Sequence, residues 1–123
     1  MSRPAVLRSL QTIVPDTVIA QDAVRDVFAQ QPGLGRLAQR IVTASFDGSG
    51  IDTRHTVIEE FSPLHETDEP VFFAPATRQL LAPGTRARND IYVRESTRLF
   101  VEVAQRAIEE DPDLQASDVT HVI

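Results

Sequence analysis

The sequence predicts a layered α/β or α+β fold whose sheet is incomplete as written. Three observations point there: β-branched apolar runs at the start, middle and end of the chain, stretches of helical periodicity between them, and proline or glycine at the joints. The order they give is β-α-α-β-loop-α-β, with no internal repeat or low-complexity tract.

From about Ala5 to Val14 the chain is rich in Val, Leu and Ile and runs into Pro15, which suits a largely buried first strand followed by a turn. Asp22 to Gln31 sets Ala23, Val24, Val27 and Phe28 on one side at helical spacing. Asp22 and Asp26 sit near the positive N-terminal end, and Pro32-Gly33 is the stop. A second helix carries Leu34, Leu37, Ala38, Ile41, Val42 and Ser45 on one face and Arg36 and Arg40 on the other. Asp47-Gly48-Ser49-Gly50 ends it.

Thr53 to Glu59 reads as a strand. From Phe61 to Arg88 the texture is irregular, with Pro63, Pro70, Pro75 and Pro83 spaced through it and an acidic cluster at Glu66, Asp68 and Glu69. Such a loop inside a compact domain is commonly functional, and no regular helix or central strand is expected across Glu66 to Gln79. The third helix is expected over about Asp90 to Glu110, with Asn89 or Asp90 capping its start. Leu99, Phe100, Val103, Ala104, Ala107 and Ile108 form its apolar stripe, and Pro112 lies beyond its end.

The chain closes on Val119-Thr120-His121-Val122-Ile123, an apolar run that reads as a strand cut through its middle. Strand backbone without a neighbour invites pairing with another chain. The expectation is therefore of a segment of a larger domain, with the third-helix stripe and the last strand lacking cover and the chain prone to associate.

Composition narrows the function classes. The 123 residues suit one domain, and 41% hydrophobic content is enough for a core. A formal net charge of −6 argues against a general nucleic-acid binder, which needs a basic face. Cysteine is absent, which removes disulfides, thiolate metal sites and a cysteine nucleophile. All 12 basic residues are arginine, so Schiff-base chemistry and a P-loop lysine are excluded. No stretch approaches the roughly 20 apolar residues of a membrane span, and Met1-Ser2-Arg3-Pro4 lacks the apolar block of a leader. The expectation is a cytoplasmic protein without membrane or nucleic-acid partners.

The chemistry-bearing residues are scattered. The histidines His55, His65 and His121 and the 18 carboxylates show no metal-ligand spacing, so no metal site is expected. Ser45, Ser49, Ser62 and Ser96 lack a nucleophile elbow. Gly48-Ser49-Gly50 resembles a phosphate-cradling loop but follows a helix instead of opening one, and reads as its cap. Arg36 and Arg40, with Arg54, make a candidate anion site for a phosphate or a phosphopantetheine-bearing cofactor, the alternative being an ordinary solvated face. Arg86, Arg88 and Asn89, just before the third helix, offer a second anion site or a simple cap.

Four blocks then line up in order: Gln31-Pro32-Gly33-Leu34-Gly35-Arg36-Leu37, Gly50-Ile51-Asp52-Thr53-Arg54-His55-Thr56-Val57, Arg88-Asn89-Asp90-Ile91-Tyr92 and Asp118-Val119-Thr120-His121-Val122-Ile123. Together they resemble the N-terminal portion of bacterial type III polyketide synthases, the chalcone synthase-like enzymes, over essentially the whole chain. The resemblance implies most of the first half of a thiolase-like fold, layered in α and β, in a homodimeric enzyme. Such enzymes load an acyl group from acyl-CoA onto a cysteine and extend it by decarboxylative condensation with malonyl-CoA, helped by a histidine and an asparagine.

In the family the cysteine follows shortly after the Thr-His-Val-Ile strand, and the histidine and asparagine lie far downstream. None of the three is matched here, and His55, His65, His121 and Asn89 do not fit their motifs. The resemblance thus implies no catalytic residue in this chain, no cofactor bound by the segment alone, and coenzyme A thioesters as substrates of the complete enzyme. Plant members carry basic residues for the coenzyme A phosphates on the equivalent of the second helix. Ile41 to Gly48 holds none, which leaves Arg36, Arg40 and Arg54 as the candidates. The other class of function open to the sequence is a non-catalytic assembly or binding module that keeps half of the fold.

Overall fold

The structure is a computed structural model that describes residues 4–123, so of the amino-terminal run read for a leader only Pro4 falls among them. The described residues form a mixed α and β architecture of three α-helices and two small antiparallel sheets. The chain divides into two compact units, one of Pro15–Tyr92 and one joining residues up to Val14 to Val93–Ile123.

The Pro15–Tyr92 unit opens with β1 (Thr17–Ala20), paired antiparallel to β2 (Thr53–Thr56) in the register Thr17 to Thr56 and Ile19 to Arg54. The Gln21 N–H extends the ladder to the Asp52 carbonyl at 2.9 Å. Alternation along β1 turns Thr17 and Ile19 inward and leaves Val18 and Ala20 exposed. The strand therefore lies after Pro15, not over Ala5 to Val14 as expected. Residues 5–14 adopt no regular structure, because β2 is only four residues long and the β1 residues already take its ladder.

Helix α1 (Gln21–Ala29) buries Val24 and Val27 of its predicted apolar side, while Ala23 and Phe28 remain exposed. The Gln30 N–H returns to the Asp26 carbonyl, and Gly33 turns the chain at φ +83°, where a side chain would be strained. Helix α2 (Arg36–Asp47) packs on α1 through Phe28 and Phe46, whose ring centroids lie 5.7 Å apart. Gly48 ends it by donating to the Ala44 carbonyl at 2.9 Å, in line with the cap reading of the glycine loop. The predicted stripe is only partly covered, since Ala38 and Val42 are half-buried while Leu37 and Ile41 remain exposed.

After a short 3-10 turn (Glu59–Phe61), the proline-spaced segment is mostly irregular, as expected. It contains a hairpin of β3 (Phe73–Ala74) and β4 (Gln79–Leu80), each two residues long, and its last residues, from Thr85, are already helical. Phe73 is buried and stacks on Phe61, centroids 4.7 Å apart and planes at 12°. Burial of a side chain that size contributes roughly 2 kcal/mol, and its ring partner about 1 kcal/mol more.

Helix α3 (Thr85–Glu110) starts before the expected Asp90. The Arg88 N–H closes its first turn on the Gly84 carbonyl, and Arg86, Ala87 and Arg88 are good helix formers. Asn89 and Asp90 are thus interior helix residues and cap nothing. In the second unit, Arg94, Glu95, Arg98, Glu102 and Arg106 form a ladder of ion pairs along the exposed helix. Arg8 donates from Nε and Nη2 to Asp111 Oδ2 at 2.9 and 2.7 Å, and Ser9 donates to Glu110 at 2.6 Å. These bonds tie the amino-terminal segment to the end of α3. Beyond a 3-10 turn (Ala116–Asp118), residues 119–123 adopt no regular structure, so the expected last strand is absent: no neighbouring strand among the described residues supplies its ladder.

Candidate functional site

Two polar arrangements organise the Pro15–Tyr92 unit. The first centres on Gln21, 6% exposed at the start of α1. Its amide nitrogen donates to Ser49 Oγ at 2.8 Å and reaches the Phe46 carbonyl at 3.4 Å, while its oxygen accepts from Arg54 Nε at 2.5 Å. The Arg54 guanidinium carbon stands 5.7 Å from the Phe46 ring centroid, within cation–π range. One carboxamide thereby joins the end of β1, the end of α2 and β2.

This arrangement decides the fate of the three arginines expected to form an anion site. Arg54 is engaged with Gln21 and Phe46 at the carboxyl end of α2, whereas Arg36 opens the same helix. Ten residues of helix separate Arg36 from Phe46, about 15 Å along the axis. Arg36 and Arg40 are one turn apart and exposed, and neither has a carboxylate partner among the described residues. Arg40 borders a shallow depression with Gln39, Thr43 and Asp47. The structure brings Arg36 and Arg40 together and assigns Arg54 to the packing of the unit.

The second arrangement centres on Glu60. Its Oε1 accepts from the Val71 N–H at 2.8 Å, and its Oε2 accepts from the N–H groups of Phe72 and Phe73 at 2.7 and 2.6 Å. Gln31 holds the other side of the hairpin, donating to the carbonyls of Val27 and Arg78 at 2.7 and 3.0 Å and accepting from the Leu80 N–H at 2.9 Å. These two side chains stand in for a longer ladder that prolines and short strands deny the segment. Beside Glu60 opens a cleft of about 470 Å³, with Val24, Val27, Phe61 and Phe73 in its walls and Ser62 and Arg78 among its polar residues.

The remaining candidates have ordinary partners. His55 Nδ1 lies 2.9 Å from the Pro15 carbonyl, His65 Nδ1 is 3.5 Å from Glu59, and His121 Nδ1 is 3.0 Å from Thr120 Oγ1. Ser49 donates to the Phe46 carbonyl at 2.7 Å and receives Gln21, which makes it part of the helix end. Arg86 and Arg88 lie inside the first turns of α3, 4.0 Å from Asp90 and 3.4 Å from Thr85 Oγ1 respectively, so they do not precede the helix as expected. Among the described residues no three His, Asp or Glu side chains gather as a metal site, and no helix is long and apolar enough to cross a membrane. Gln21, Gln31 and Glu60 were not legible as functional in the sequence, since glutamine and glutamate in those contexts carry no local signature.

Compared with known protein families, curated proteins and solved structures, the chain matches none.

Proposed function

We propose that this chain is the N-terminal segment of a type III polyketide synthase, with the thiolase-like fold, the homodimer and the cytoplasmic setting that such an enzyme implies. One observation carries the reading: the four sequence blocks from Gln31 to Ile123 follow one another in the order of that family. The complete enzyme would condense an acyl-CoA starter with malonyl-CoA. This segment would contribute packing and, through Arg36 and Arg40, charge for the coenzyme A phosphates. Two exposed arginines one helical turn apart, without carboxylates to neutralise them, support that role. Arg54 is left out of it because Gln21 and Phe46 already engage its guanidinium.

The test is a chimaera in which this chain precedes the cysteine-bearing remainder of a bacterial type III polyketide synthase. It is expected to form a pyrone from acyl-CoA and malonyl-CoA, while the 123-residue chain alone forms neither product nor covalent acyl adduct. Arg36→Ala with Arg40→Ala in the chimaera should raise KM for acyl-CoA by about tenfold with kcat little changed. A folded chimaera without product would overturn the proposal.

The second reading, a non-catalytic assembly or binding module, draws on exposed apolar side chains such as Leu37, Ile41, Phe100 and Val101. It predicts a stable folded chain that functions without any cysteine-bearing sequence.

A further inference from the structure

The cleft between β1, α1 and the 73–80 hairpin combines apolar walls with a cation whose backbone is held in place. Its volume of about 470 Å³ falls in the range of small-molecule sites. Val24, Val27 and Phe73, the buried hydrophobic residues of the unit, all line it together with Phe61. The polar residues in its lining are Glu60, Ser62 and Arg78. Three backbone N–H groups converge on the Glu60 carboxylate and offset its charge. Ser62 Oγ accepts from the Leu64 N–H, which leaves its hydroxyl proton to donate elsewhere. Arg78 has no carboxylate partner among the described residues.

Arg78 is also the one described non-glycine residue with a positive φ, at 55°. It closes the hairpin loop at a position where glycine would avoid the steric cost of a side chain. Gln31 fixes the backbone that follows it, through the Arg78 carbonyl and the Leu80 N–H on either side of Gln79. A charged residue kept in this strained backbone conformation beside an apolar cleft points to a use for its charge.

We propose that the cleft binds a small amphipathic carboxylate, an aliphatic acid whose chain lies against Val24, Val27, Phe61 and Phe73 and whose carboxylate pairs with Arg78. The Ser62 hydroxyl supplies a second donor. Hydrocarbon burial gives affinity without orientation, and the guanidinium selects the acid over neutral molecules of the same length. This site is independent of the polyketide reading and of Arg36 and Arg40.

The experiment titrates octanoate and 1-octanol at pH 7 into the isotope-labelled chain and follows the amide signals of Val24, Val27 and Phe73 by NMR. Octanoate is expected to shift all three and to bind about tenfold more tightly than octanol. Arg78→Gly should abolish that preference while leaving the melting temperature unchanged or higher, because glycine relieves the positive φ. Arg78→Asn, which tolerates the same backbone, should lose the preference likewise. Absence of shifts at these amides, equal affinity for acid and alcohol, or a preference that survives both substitutions would overturn the proposal.

Discussion

Gln21 accepts the Arg54 guanidinium at 2.5 Å from a position 33 residues earlier in the chain, and the same carboxamide donates to Ser49. A buried amide with both ends satisfied fixes the strand pair against the end of α2. Gln21→Ala should destabilise the fold by about 1–2 kcal/mol, since it leaves Ser49 and Arg54 without this partner. A double-mutant cycle with Arg54→Ala, followed by urea unfolding, should give a coupling energy of about 0.5–2 kcal/mol. Strict additivity would show that the pair contributes nothing.

Glu60 holds three successive N–H groups, from Val71 to Phe73, in a segment with almost no ladder of its own. Glu60→Ala is expected to cost about 2–4 kcal/mol and to speed hydrogen exchange at those three amides selectively. Equal protection in parent and variant would place the restraint elsewhere, for instance in the Phe61 and Phe73 stack.

Acid should release the amino-terminal segment from the end of α3. Hydrogen bonding from Arg8, and then from the Asp113 backbone N–H, holds the Asp111 carboxyl below its ordinary value of 3.8. Ser9 and then Gln11 hold Glu110 below 4.5. Both folded values are depressed, so the linkage is fully present above the ordinary values and is lost as pH falls through the lowered ones. An NMR titration from pH 6 to 2 should show the Arg8 and Asp111 signals moving together below pH 3.8, and the Ser9 signals following Glu110 below pH 4.5. Arg8→Ala should move the Asp111 midpoint upward, and an unchanged midpoint would argue that the contact is not held in solution.

Self-association follows from the exposed apolar side chains of α3. Phe100 is 66% exposed and Val93 53%, seven residues apart on one helical face. Sedimentation of the purified chain should show species larger than the monomer, with Phe100→Glu shifting them toward monomer. A monodisperse monomer at high concentration would show that this face does not drive self-association.

The sequence by itself determined the helices. The apolar spacing of Val24 and Val27, the glycine after Asp47 and the run from Leu99 to Ile108 are local signals, and α1, α2 and most of α3 lie where they point. The prolines between Phe61 and Arg88 likewise announced an irregular segment. Only the tertiary structure decided which apolar runs became strands, because a strand exists through its neighbour: Thr17–Ala20 found β2, while residues 5–14 and 119–123 found none. The same holds for the site. Arg36 and Arg40 were legible as a pair one turn apart, but the separation of Arg54 from them, the clamp of Glu60 on residues 11 to 13 positions away and the hold of Gln31 on Arg78 depend on contacts that no local pattern encodes.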